Sequence, residues 1–171
     1  NVTVTVNKLP APLVANNLTL KVDESKFIDP TIDVQYLRFI CSDDTVVLVN
    51  ATTGKVTGLK GGKVNVTLIF DGNDKYMANE TNITVTVNKL TSTITVENDN
   101  LVVDVDGTVK INASTNSDAD LEFISLNTTV VSVSGENVTG LIGGKVNITV
   151  RVKETDRCLA KSTNVSVTVN K

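Results

Sequence analysis

Three observations predict an all-β chain of two tandem antiparallel β-sandwiches with about seven strands each. Valine (29) and threonine (24) supply nearly a third of the 171 residues, and both are stiff at the first side-chain torsion and favour strands. Apolar and polar residues alternate at period two in segment after segment, as in strands with one buried face. The segments also recur. The peptide Asn-Val-Thr-Val-Thr-Val-Asn-Lys at residues 1–8 returns, with conservative changes, at 82–89 and 164–171, and the run from Val56 to Thr67 returns 82 residues later as Val138 to Thr149. Two modules follow, 9–89 and 90–171, each large enough for its own core. Residues 1–8 read as the closing strand of a preceding repeat, expected to fray or to add to an exposed sheet edge.

Taken in order, the strands of the first module are expected at 12–22 (broken), 26–34, 36–41, 45–49, 55–57, 63–70 and 82–88. Pro10 and Pro12 fit an edge strand, where a missing N–H breaks no ladder bond. Phe39 and Phe123 are expected at equivalent buried positions. In 63–70, Val64, Val66, Leu68 and Phe70 share one face and Asn65 and Thr67 the other; Val146, Ile148, Val150 and Val152 repeat the inner face. Ile83, Val85 and Val87 do the same in 82–88, as do Leu101, Val103 and Val105 in the second module. Each is read as a half-buried antiparallel strand. Asp71-Gly72 and Asp106-Gly107 are hairpin dipeptides, and Gly61-Gly62 and Gly143-Gly144 are expected at positive φ in tight connections. No useful helix-period run is present. The Lys89-Leu90 junction, with neither Gly nor Pro, predicts little rotational freedom between modules.

A net charge of −3 without histidine, and a pI near 4.9, exclude a general basic face for nucleic acid. The missing histidine removes the commonest general base, triad base and zinc ligand, so conventional hydrolysis is not expected. No stretch approaches the ~18 apolar residues of a membrane span, and no charged-then-apolar leader opens the sequence.

Taken as an ordered series, several short motifs resemble the bacterial immunoglobulin-like domains of groups 2 and 3 found in surface adhesins. They are Leu20-Lys21-Val22-Asp23-Glu24, Phe39-Ile40-Cys41-Ser42-Asp43 (where the family has Trp-x-Ser-Ser-Asp), the run 46–49, and 54–62. In the second module the matching pieces are 105–111, Phe123-Ile124-Ser125-Leu126-Asn127 and 138–150. Phe stands for the family's Trp in both modules. The Asp71-Gly72-Asn73-Asp74-Lys75-Tyr76 hairpin and the Asn/Thr-rich closing strand are also similar to adhesin-like proteins of methanogenic archaea. The resemblance implies a surface-exposed, extracellular structural module with no catalytic residues to transfer.

Eleven Asn-x-Ser/Thr sequons begin at Asn1, Asn17, Asn50, Asn65, Asn79, Asn82, Asn112, Asn127, Asn137, Asn147 and Asn164. Period-two alternation puts Asn and Thr on one wet face and generates sequons by itself. Yet Asn is a poor strand former, so glycan attachment competes with compositional drift as the explanation. Asp43-Asp44 and Asp71-x-Asn73-Asp74 could offer oxygens to Ca²⁺, but a solvated hairpin tip explains them better; the second module has Glu154-Thr155-Asp156-Arg157 instead. No metal or cofactor is expected. An internal lysine amide crosslink would need an inward-facing lysine, and Lys63 and Lys145 do not qualify.

Cys41 aligns with Ser125 and Cys158 with Tyr76, so neither has a partner in its own module. The expected topology puts both near the junction, which leaves an interdomain disulfide or two unpaired thiols, one buried as a small apolar residue.

These features favour a stalk or spacer segment of an extracellular cell-surface adhesin, monomeric and without direct membrane insertion. It would meet cell-surface or host proteins or glycans through the parent protein. The alternative is a module whose loops or sheet face bind a host glycan or protein; without Trp and with two Tyr, the aromatic platform for a sugar is sparse.

Overall fold

The computed structural model describes residues 1–171 and divides them into two compact units, Asn1–Lys89 and Leu90–Lys171. Unit 1 contains β1 (Leu18–Lys21), β2 (Ser25–Phe27), β3 (Leu37–Cys41), β4 (Val47–Val49), β5 (Lys55–Gly58), β6 (Gly62–Phe70) and β7 (Asn79–Asn88), with one 3-10 turn at Val34–Tyr36. One sheet has the order β1-β7-β6-β3 and the other β2-β5-β4. Unit 2 contains β8 (Ile94–Val96), β9 (Asn100–Asp104), β10 (Thr108–Lys110), β11 (Ala113–Thr115), β12 (Glu122–Ser125), β13 (Val131–Ser134), β14 (Asn137–Gly140), β15 (Gly144–Val152) and β16 (Lys161–Asn170). Its sheets repeat the plan as β9-β16-β15-β12 and β10-β14-β13. Both units are immunoglobulin-like sandwiches.

Alternation sets the faces as predicted. Val64, Val66, Leu68 and Phe70 of β6 and Ile83, Val85 and Val87 of β7 are buried, whereas Asn65 and Asn82 are exposed and Thr67 and Thr84 half-buried. A one-residue slip would reverse every one of these positions. In unit 2 a single buried cluster joins Leu101 and Val103 of β9, Ile148, Val165 and Val167 of the same sheet, and Val131 and Val138 of the facing sheet.

The packing also explains one shared marker. Gly58 and Gly140 lie where the two sheets come close: an added Cβ would meet the Lys21 carbonyl oxygen at 2.7 Å and Val87 Cγ1 at 2.9 Å in unit 1, or the Asp104 oxygen and Val169 Cγ1 at 2.8 Å in unit 2. Contacts below 3 Å with backbone cannot be relieved by a rotamer change, so only glycine fits.

Several expectations need correction. The first strand of each four-stranded sheet, β1 or β9, pairs in parallel, Leu18 with Val85 through Lys21 with Asn88 and Asn100 with Ser166 through Asp104 with Asn170. The sandwiches are therefore antiparallel except for that pair. Asp106-Gly107 makes no hairpin; it carries the chain from β9 across to β10, with Asp106 at φ 64°, and Asp23 does the same in unit 1 at φ 68°. Of the paired glycines, only Gly62 has a positive φ, 159°, close to extended. Their constraint is contact: a Cβ on Gly61 would fall 2.5 Å from the Lys89 side chain, and one on Gly143 2.6 Å from that of Lys171.

The broken strand expected at 12–22 shortens to β1, and 26–34 shortens to β2. In unit 2 the corresponding segments do pair, as the β8–β11 ribbon, with Ser114 opposite Thr95. Pro30 occupies the place of Ala113, and a ring that fixes φ at about −65° departs from the extended backbone such a ribbon uses. One contact survives, with Thr31 N donating to the Val14 carbonyl at 3.0 Å.

Phe39 and Phe123 are half-buried rather than buried. Each sits on an edge strand, β3 or β12, where one flank has no neighbouring strand. Residues 1–8 are exposed and form no strand; pairing starts at Leu9, whose N–H donates to the Lys75 carbonyl at 2.9 Å while its own carbonyl accepts from Met77 N at 2.8 Å.

Candidate functional site

All eleven sequon asparagines are exposed, and the sheet geometry sets four of them opposite a threonine or serine, two of them in a side-chain hydrogen bond. In the β6–β7 pair, Asn65 lies opposite Thr84 and Thr67 opposite Asn82, so two Asn-x-Thr tripeptides running antiparallel place each threonine beside the other's asparagine. Thr67 Oγ1 donates to Asn82 Oδ1 at 2.6 Å. Unit 2 repeats the arrangement, Thr149 Oγ1 donating to Asn164 Oδ1 at 3.1 Å, with Asn147 opposite Ser166. Cross-strand polar pairs stabilise a sheet, which supplies a structural reason for asparagine at outward strand positions.

The other sequons sit mainly in turns and edges. Asn50 Oδ1 accepts from Thr52 N at 2.9 Å and Thr53 N at 3.1 Å, and Asn127 Oδ1 from Thr129 N at 3.1 Å. Asn17 Oδ1 accepts from Thr84 N at 2.8 Å. In all of these the carbonyl oxygen is occupied and the amide nitrogen, the atom a glycan would take, points elsewhere. Asn79 differs, since its Nδ2 donates to the Ala11 carbonyl at 2.9 Å.

In the acidic hairpin between β6 and β7, Asp71 and Asn73 use their side-chain oxygens within the protein. Arg38 reaches both oxygens of Asp71, at 2.9 Å from Nε and 2.7 Å from Nη2, and this hydrogen bonding holds the Asp71 carboxyl below the usual carboxylate range. Asn73 Oδ1 accepts from Lys75 N at 2.9 Å and Tyr76 N at 2.8 Å, closing the turn. Asp43 accepts from the Thr45 hydroxyl at 2.6 Å and its N–H at 2.9 Å, and the two bonds lower its carboxyl too. Lys63 and Lys145 are exposed at the starts of β6 and β15.

Each cysteine finds a partner inside its own unit. The half-buried Cys41 thiol donates to the Asp43 carbonyl at 3.3 Å. Cys158 is buried, 4% exposed, its N–H donating to Thr155 Oγ1 at 2.9 Å. Its thiol joins the Thr155 hydroxyl, the stronger contributor, in keeping the Asp118 carboxyl low.

Sequence reading missed that Tyr36 and Tyr76 line one cleft of unit 1. They lie in different loops, and periodicity carries no signal for such a meeting.

No family model matches the chain, and no curated protein matches it in sequence. Among solved structures it is similar to the S-layer protein SbsC: domains 4 and 5 share 16% identity over 96% of this chain and 100% of that chain, with a TM-score of 0.42. The longer rSbsC(31-844) shares 17% over 82% of this chain, TM-score 0.44, and the match spans 21% of that protein's length. The insect immune protein hemolin shares 14% over 99% of this chain and 49% of that chain, TM-score 0.42. At these values the architecture rests on the chain's own strand pairing. No helix is long and apolar enough to cross a membrane.

Proposed function

We propose that this chain is a structural repeat segment of an extracellular surface adhesin, a spacer that carries a distal binding unit and bears tension along the polypeptide. The observation behind this reading is the parallel pairing of β1 with β7 and of β9 with β16. In unit 1 these are the first and last strands, and in unit 2 β9 is preceded by the short β8 alone, which pairs with β11; each pair is hydrogen-bonded side by side and runs the same way. Force entering at one end and leaving at the other pulls such strands past each other, so their bonds must break together. Antiparallel hairpin strands pulled at their open end would instead separate one bond at a time. The register is continued beyond the strands by Val22 N donating to Asn88 O at 3.1 Å and Val105 N to Asn170 O at 3.0 Å.

The exposed sequons fit the same role, because glycans on the wet face of a surface protein would leave the core undisturbed. An interdomain Cys41–Cys158 bond would have to displace the hydrogen bond that the Cys41 thiol donates to the Asp43 carbonyl. Partners would be met through the parent protein.

The test is single-molecule pulling in two directions. Loaded through its ends, each unit should resist more force than when pulled from handles on β6 and β7 that unzip that hairpin. Forced unfolding reports the unfolding rate, so equal forces in both directions would remove the argument for a tension-bearing spacer.

A further inference from the structure

We infer that unit 1 carries a binding site for a neutral saccharide in the cleft between the turn Val34–Tyr36 and the β6–β7 hairpin, a function beyond that of a spacer. The cleft has a volume of about 310 Å³ and is walled by Pro12, Ile32, Asp33, Tyr36, Asn73 and Tyr76. Both tyrosines of the chain are there, so its whole supply of tyrosine surface is gathered at one place. A largely apolar concavity with a few convergent polar groups is the usual form of a small-ligand site.

The walls are held by hydrogen bonds within the segments that form them. Asp33 caps the turn, accepting from Gln35 N at 3.1 Å through Oδ1, and its carbonyl accepts from Tyr36 N at 3.0 Å. Thr31, whose hydroxyl donates to the Pro12 carbonyl and accepts from Val14 N at 2.8 Å, ties the two flanking segments together. Lys75 Nζ lies 5.3 Å from the centroid of the Tyr76 ring. These contacts leave Asp33 Oδ2 as an acceptor, Asn73 Nδ2 as a donor, and the Tyr36 side chain in a residue 62% exposed.

That set selects among ligands. A pyranose presents a C–H face that packs on a tyrosine ring and neighbouring hydroxyls that both donate and accept. One hydroxyl can donate to the Asp33 carboxylate, which only accepts, while another accepts from Asn73 Nδ2. An anion would face the carboxylate at a cost, and a proline-rich peptide would bring carbonyl oxygens without donors to an acceptor.

Unit 2 supplies an internal comparison. Cys158 occupies the place of Tyr76 and Asp120 that of Tyr36. Thr155, in the place of Asn73, donates its hydroxyl to Asp118 Oδ1 at 2.7 Å, and Ser117, in the place of Asp33, caps its turn by accepting from Ala119 N at 3.0 Å, so unit 2 has neither a carboxylate nor a side-chain amide at these two places.

The experiment is titration of the ¹⁵N-labelled full chain with methyl α-D-mannopyranoside, methyl β-D-glucopyranoside and methyl β-D-galactopyranoside, followed by amide NMR. At least one glycoside, taken to about 50 mM to cover millimolar affinities, should give saturable shifts at the Asn73 side-chain amide and the backbone of 31–36 and 73–76, and none at 155–158. Tyr36→Ala, at an exposed position, should leave the melting temperature unchanged and weaken binding about tenfold or more, as loss of an aromatic contact does; Tyr36→Phe should retain most of it. Absence of saturable shifts with all three glycosides would overturn the proposal. So would shifts shared equally by unit 2, an affinity indifferent to Tyr36→Ala, or binding of a proline-rich decapeptide in place of the sugars.

Discussion

Arg38 grips both carboxylate oxygens of Asp71, at 2.9 and 2.7 Å, and one repeat later the same two places carry the opposite charges. Glu122 stands where Arg38 does and Lys153 where Asp71 does, 3.2 Å apart, with Arg151 at 2.7 Å from the same glutamate. Each pair joins the edge strand of the larger sheet to the start of the long hairpin loop. The repeats have kept an attraction and exchanged its signs, so the contact itself matters there more than either residue.

Exchanging the charges in unit 1 should therefore be tolerated only when both are exchanged. Arg38→Glu and Asp71→Lys should each lower the melting temperature, and the double variant should recover most of the loss. Additive losses in that double-mutant cycle would show that the two side chains are not coupled.

The same contact sets a response to acid. Asp71 is held below the ordinary carboxylate range, first by the Arg38 hydrogen bond, so the unfolded chain takes up the proton before the folded one does. The stabilisation is present above the ordinary carboxylate range and is lost as pH falls through the lowered folded value. Asp71→Asn should melt below the parent at neutral pH, and the gap should close at about pH 2, beneath the carboxylate range. A gap unchanged by acid would show that the ion pair contributes nothing.

Core and edge should separate cleanly in stability. Leu68 in β6 is fully buried, and Leu68→Ala should cost about 2–5 kcal/mol by the cavity it leaves. Phe39→Ala should cost less despite the larger side chain, because Phe39 is half-buried on the edge strand β3. Urea melts showing the reverse order would place Phe39 at the centre of the core.

The faces of β6, β7, β15 and β16 were legible because a period of two encodes burial directly: Val64, Val66 and Leu68 could not all turn outward without exposing the core. Other features depend on groups distant in sequence. The parallel pairing of β1 could not be read from Leu18 to Lys21, since a short apolar alternation looks the same in either direction. Phe39 was placed too deep because hydrophobicity does not reveal which strand ends at a sheet edge. The loss of the β8–β11 counterpart has a signal in Pro30, but only the second unit shows what that proline displaces. Likewise Tyr36 and Tyr76 become a site only through the turn and the hairpin that carry them.

Glycan occupancy should follow the amide nitrogens. In a host that modifies sequons, Asn79 should be modified least, because its Nδ2 is bonded to the Ala11 carbonyl, while Asn50 and Asn127 in exposed turns should be modified most. Peptide mapping by mass spectrometry reads this ranking, and high occupancy at Asn79 would contradict it.

The most direct measurement of the account is the length released when the chain is stretched through its ends. Two self-contained sandwiches should unfold in two separate steps, each freeing about 80 residues, or roughly 25 nm of extended chain. The unit held by the five-residue β9–β16 register should resist at least as much force as the one held by the four-residue β1–β7 register. A single step releasing the whole chain, or extension with no force peak, would contradict a tandem spacer built to carry tension.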